Sequence, residues 1–246
     1  MRWETGYDKD GISPAGGQSQ IRDVFRRERK MRFYISDQHF FHSNLNDHMD
    51  KRGFATGEEM NEYMISQWNS KVRKNDEVVI LGDLSVGKAE ETNEIVRRLT
   101  GKLYLIAGNH DRFLQKKEFD TSRFVWIRPY GEVHDNNRRV ILSHYPVFCY
   151  NKQYLRDKKG IPRTYMLYGH VHNTYDEYLV NQFVQMTRKE FRSVRGSEER
   201  LPIPCNLINC FCMFSDYVPL TLDEWIELDG RRRSQMKRED FDSILL

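Results

Sequence analysis

The chain has 246 residues, enough to bury a sizeable core and near the upper end for one domain. An apolar share of 39% and a charged share of 30% exclude a chain disordered throughout, while a mean hydropathy of -0.76 leaves much of it as surface or tail. The net charge of +3 is the remainder of 39 basic and 36 acidic residues, so it does not by itself point to a nucleic-acid partner.

There is no apolar run long enough to cross a membrane, and the first thirty residues do not read as a basic start followed by an apolar stretch. The expectation is a cytoplasmic protein with no membrane partner. Four cysteines, Cys149, Cys205, Cys210 and Cys212, are too few and too late in the chain to frame this fold, and read as reduced thiols.

In chain order, residues 1–30 form an extension. Its first twenty residues are rich in Gly and poor in large apolar side chains, and Ile21, Val24 and Phe25 suggest one short amphipathic helix after them. A folded domain is expected over 31–230. Within it, apolar runs at Arg32–Ile35, Val78–Leu81, Leu103–Ile106, Val140–Leu142 and Tyr165–Tyr168 read as buried strands alternating with helical segments, the pattern of an α/β fold.

Thr56 and Glu59 form a capping pair ahead of Met60, Met64, Trp68 and Val72, one face of a helix. A second helix carries Ile95, Val96 and Leu99 and ends at Gly101. Thr174 and Glu177 start another, over an inserted segment at about 174–204, which is a candidate wall of the site. Thr221 and Glu224 cap a last one carrying Trp225 and Leu228. Alternation of Leu207, Cys210, Phe211 and Met213 suggests buried strand thiols. A basic tail is expected over 231–246, its arginines solvated.

The chemistry lies where the strands end. Each of the five apolar runs is followed by a short polar cluster: Asp37-Gln38-His39, Gly82-Asp83, Gly108-Asn109-His110-Asp111, Ser143-His144 and Gly169-His170-Val171-His172. Open α/β sheets build sites outside the carboxyl ends of their strands. Singly, each cluster is an ordinary turn or surface pair; together they deliver oxygen and nitrogen donors to one edge, suited to Mn, Fe or Zn and not to a soft thiolate metal. The Asp-x-His and His-x-His spacings put two side chains of an extended segment on one face.

These motifs, in this order, resemble those of the calcineurin-like metallophosphoesterase superfamily: Asp-x-His, Gly-Asp, Gly-Asn-His-Asp, His and Gly-His-x-His. The stretch from Cys212 through Asp216-Tyr217 to Pro219-Leu220-Thr221 is similar to the close of small bacterial and bacteriophage members. The resemblance implies a four-layer αββα sandwich of two mixed β-sheets flanked by helices. It implies Asp37, His39 and His172 on one metal, Asn109, His144 and His170 on the other, and Asp83 bridging, with Mn or Fe the first expectation and Zn or Ni the alternatives.

Two metals about 3.5–4 Å apart polarise a phosphoryl group and hold a bridging hydroxide as nucleophile. The expected reaction is hydrolysis of a phosphodiester or phosphomonoester, nucleotides among the candidates. His110 is the catalytic histidine of the resemblance, and assists the leaving group. Asp111 either orients the His110 ring or is a turn residue. His42 either touches the substrate phosphate or caps its turn, and Arg112 either pairs with a substrate anion or is solvated. A nuclease of the same superfamily and a non-catalytic metal-binding scaffold are the alternatives; nucleic acid is not favoured as a partner, and the oligomeric state is left open.

Overall fold

The computed structural model describes residues 30–193, 196, 198–237 and 239. The expected extension, residues 1–30, lies outside them but for Lys30, as does half of the expected tail, residues 238 and 240–246.

Four strands, β1 (Arg32–Ile35), β2 (Glu77–Ile80), β3 (Lys102–Ile106) and β4 (Phe124–Arg128), pair in that order, every neighbour parallel. A second sheet is ordered β10 (Leu207–Asn209), β7 (Thr164–Tyr168), β6 (Arg138–Ser143), β5 (Tyr130–Asp135). There β10, β7 and β6 are parallel and β5 is antiparallel to β6. The expected pair of mixed sheets is thus one parallel sheet and one mixed sheet. Two short strands, β8 (Phe191–Ser193) and β9 (Arg200–Pro202), form a separate hairpin.

Period-2 alternation on sheets buried on both faces explains the continuous apolar runs. Phe33, Ile35, Val78, Ile80, Leu103 and Leu105 point one way, onto Met60, Met64 and Trp68 of helix α1 (Gly57–Lys71) and Ile95 and Val96 of α2 (Ala89–Arg98). Their neighbours Tyr34, Val79, Leu81 and Ile106 point the other way, against Val140, Leu142, Leu167 and Ile208 of the second sheet. Ile141, Met166, Tyr168 and Leu207 on its far face meet Val180 and Val184 of α3 (Tyr175–Lys189). The layers are therefore helices, sheet, sheet, helix. Leu222 and Trp225 of α4 (Leu222–Gln235) join the core between the sheets, and the Trp225 indole donates to the Tyr34 carbonyl at 2.8 Å.

The helix starts follow their capping chemistry. Thr56 accepts the Glu59 N–H at 3.1 Å, and Thr221 with Glu224 makes a reciprocal box. Thr174 instead accepts from Asp176. Glu177, expected in that cap, is buried beneath α3, taking the Tyr168 hydroxyl at 2.8 Å and facing Arg232 and Arg233. The expected basic tail begins later than the sequence implied: Arg231, Arg232 and Arg233 belong to α4, and Arg233 is buried on Asp229, Asn181 and the Leu207 carbonyl. None of the described helices is long and apolar enough to cross a membrane.

Candidate metal centre

All five polar clusters emerge at the carboxyl ends of β1, β2, β3, β6 and β7, so both sheets deliver side chains to one place. Two groups form: Asp37, His39 and His172, and Asp83, His144 and His170, each with ligand atoms within 4.8 Å of one another. The Asn109 side-chain oxygen joins the second, 2.9 Å from His144 Nε2 and 3.0 Å from His170 Nδ1. Asp83 Oδ2 lies between the groups, 3.4 Å from His39 Nε2 and 3.3 Å from His144 Nε2. Donor atoms about 2.0–2.2 Å from one ion lie roughly 3.0–3.5 Å apart, so these separations are those of a ligand shell.

Hydrogen-bond accounting points the same way. The Leu81 carbonyl can only accept, so His144 Nδ1, 2.8 Å away, donates to it. That aims His144 Nε2 at the oxygens of Asn109 and Asp83, where loss of its proton leaves a lone pair directed into the space they share. His172 Nδ1 sits 2.8 Å from Asp50 Oδ1, which turns His172 Nε2 toward His39 Nε2 at 3.2 Å. Rings fixed by their outer nitrogens, with the inner nitrogens converging on carboxylate and amide oxygens at these distances, make a donor set that fits two metal ions.

The local backbone is unusual for a reason. Asp37, His39, Asp83, His170 and His172 all have positive φ, from 48° to 71°, a region that costs a non-glycine residue about 1–3 kcal/mol and persists where the surroundings impose it. Asp37 accepts the His170 N–H at 2.9 Å, and Asp83 Oδ1 accepts the His110 N–H at 2.7 Å. Gly108 is required because a side chain there would strike the Asp83 backbone and carboxylate. Gly82, at φ +92°, would meet the His144 ring.

Electrostatics follow burial and pairing. Burial depresses His39 to about 2, helped by its neighbour His172. Burial also disfavours charged His144, but Asp83 and Asp37 outweigh it and lift that ring to about 9. Asp83 is held at about 2, its burial overcome by His144, His39 and the His110 N–H.

The other expected residues are placed as follows. His110 is half-buried, its ring centroid 5.2 Å from that of His39. Asp111 makes no bond to that ring. Its Oδ2 accepts the N–H groups of Asp83 and Gly108, at 3.0 and 2.8 Å, and its Oδ1 those of Leu84 and Ser85, at 2.7 and 3.4 Å. The expectation that Asp111 orients the ring gives way to a carboxylate that ties two loops by their backbones. His42 accepts the Leu45 N–H at 3.3 Å, a turn cap, while its ring lies 6.4 Å from that of His110. Arg112 is exposed on a 3₁₀ turn.

Sequence reasoning missed Asp50 and Arg52. Both lie in what reads as a charged surface loop, yet their side chains are almost fully enclosed. It also missed Asn209, whose amide donates to the His172 carbonyl at 2.8 Å and to Glu177.

With fold and site in view, the chain belongs to the calcineurin-like phosphoesterase superfamily, whose domain model matches residues 31–186. It is similar to an uncharacterized protein of Methanocaldococcus jannaschii, 33% identical over 160 residues, which span 64% of this chain and 77% of the relative. A crystal structure of a protein of unknown function from Aquifex aeolicus shares the fold at a TM-score of 0.50 and 23% identity, covering 81% of this chain and all of the other.

Proposed function

We propose that this protein hydrolyses a phosphate ester, diester or monoester, at a two-ion centre. One ion position is framed by Asp37, His39 and His172, the other by Asn109, His144 and His170, with Asp83 shared. The observation that carries this reading is the convergence, from both sheets, of imidazole nitrogens and carboxylate and amide oxygens at the mutual distances of a ligand shell. Nitrogen and oxygen donors without thiolate suit Mn or Fe, with Zn or Ni as alternatives.

When bound, the two ions supply Lewis-acid polarisation of the phosphoryl oxygens and a water acidic enough to attack at neutral pH. The chain supplies the rest. His110, placed through its backbone N–H on Asp83, presents a half-buried imidazole near the ligand histidines and donates a proton to the leaving oxygen. Asp111 serves this geometry indirectly, holding the Asp83 and Gly108 backbones in register. His42 and Arg112, near and after that histidine, supply positive or hydrogen-bonding groups for the substrate's remaining oxygens.

The test is turnover of a generic phosphodiester and a generic phosphomonoester by metal-stripped protein, with Mn, Zn, Mg and Ni added back separately. The expected result is activity that needs metal, vanishes in Asp83→Asn, and falls by about 10²–10⁴ in His110→Ala while bound metal is retained. Activity independent of metal, or untouched by Asp83→Asn, overturns the proposal.

A further inference from the structure

One buried ionic group makes its direct contacts with only one of the two ligand sets. Arg52 is 8% exposed and lies beneath the turn that follows β1. Its Nη1 donates to the Gln38 carbonyl at 2.6 Å and its Nη2 to the Asp37 carbonyl at 3.1 Å. Its Nε and Nη2 also grip Asp50 Oδ2 at 3.0 and 2.8 Å. The other oxygen of Asp50 faces His172 Nδ1 at 2.8 Å. A single guanidinium therefore reaches the backbone of the Asp37-Gln38-His39 turn directly and the His172 ring through one carboxylate.

That turn has particular need of support. All three residues of the set, Asp37, His39 and His172, have positive φ, at 58°, 49° and 48°. Each is held in a conformation its side chain disfavours. The donors on the Asp37 and Gln38 carbonyls fix the peptide planes on which the first two depend. The Asp50 carboxylate fixes which nitrogen of His172 carries its proton and turns Nε2 toward His39, 3.2 Å away. The side chains of the Asp83, Asn109, His144 and His170 set rest elsewhere, His144 Nδ1 on the Leu81 carbonyl and the Asp83 backbone on Asp111, and the two sets meet only where the His170 backbone N–H reaches the Asp37 carboxylate.

We infer that Asp50 and Arg52 are positioning residues that selectively set metal affinity at the Asp37, His39 and His172 position and leave the second position nearly unaffected. The pair touches no ligand of the second set. Removing such an outer partner weakens a metal site by about 10–100-fold. The inference rests on the two-ion reading and adds an asymmetry that the reading does not require.

The experiment is metal titration of the full chain by calorimetry with Mn or Zn, with bound metal counted by elemental analysis and its position found by anomalous scattering. Asp50→Asn is the main variant because it is isosteric, yet its amide cannot present an oxygen to both His172 and Arg52. Arg52→Lys is the second, since it keeps the charge but lacks the fork that spans two carbonyls and a carboxylate. Thermal unfolding of the metal-free variants confirms that they fold.

The wild-type chain is expected to bind two ions. Each variant should keep one near wild-type affinity and bind the other about 10–100-fold more weakly, with anomalous signal fading at Asp37, His39 and His172 alone. Two wild-type affinities in a folded variant, or equal weakening at both positions, overturns the inference while leaving the two-ion reading standing. A wild-type chain that binds no ion fails the two-ion reading itself, and the inference with it.

Discussion

Asp111→Asn distinguishes two roles for that residue. In the wild type each carboxylate oxygen accepts two backbone N–H groups, Oδ2 from Asp83 and Gly108, Oδ1 from Leu84 and Ser85. Asparagine fills the same space but must turn its NH₂ toward one of these pairs, so two buried N–H groups lose their acceptor and face another donor. A hydrogen bond to a charged group contributes about 1.5–3 kcal/mol, so two cost roughly 3 kcal/mol or more. For a chain of this size that is a fall in Tm of about 6–12 °C. Thermal unfolding of metal-free wild type and variant, followed by circular dichroism, reads it directly. If the Tm is unchanged and only turnover falls, the loop-tying role is wrong and Asp111 acts on the His110 ring instead.

Metal binding should release protons. In the metal-free protein His144 is lifted to about 9, so at neutral pH it carries a proton that an incoming ion must displace. Because the raised value belongs to the metal-free state, affinity at the His144 position rises with pH up to about 9 and levels off above it. Calorimetry in buffers of different ionisation enthalpy should show close to one proton released from this ring at pH 7, and a pH-independent affinity would contradict it. Elsewhere, Glu177→Ala removes the acid that faces Arg232, Arg233 and the Tyr168 hydroxyl. It leaves two buried cations sharing the one carboxylate of Asp229, a loss of up to about 3–5 kcal/mol, measured by urea unfolding; a change under about 0.5 kcal/mol would show that Asp229 alone suffices.

Much of the site is legible in the sequence because the strands feeding it are buried on both faces. Val78–Leu81 and Tyr165–Tyr168 read as unbroken apolar runs, and the polar residues that interrupt them at one end stand out. β4 and β5 escape that reading: Val125 and Tyr130 are exposed, and β5 interleaves Glu132 and His134 with Gly131 and Val133. Neighbourhood in the chain misleads at Asp111, adjacent to His110 but aimed at other backbones. It misleads again at Asp50 and Arg52, where a charged stretch looks solvated although tertiary packing encloses it. Arg233 is the same case, a member of a basic triplet whose burial depends on Asp229 one helical turn earlier and on a strand carbonyl distant in sequence.

Each ligand set straddles the seam of the sandwich. Asp37 and His39 leave one sheet and His172 the other; Asp83 and Asn109 leave the first, His144 and His170 the second. An ion held by either set would thus be a rivet through two plates that are otherwise joined by the apolar contacts of Tyr34, Leu81, Leu142 and Leu167 and by the backbone bonds of Ser36 to Cys210 and Cys212. With ions bound there, prying the plates apart and releasing the ions would be one event, and the slowest amide exchange between the sheets and the rate of metal loss would rise and fall together.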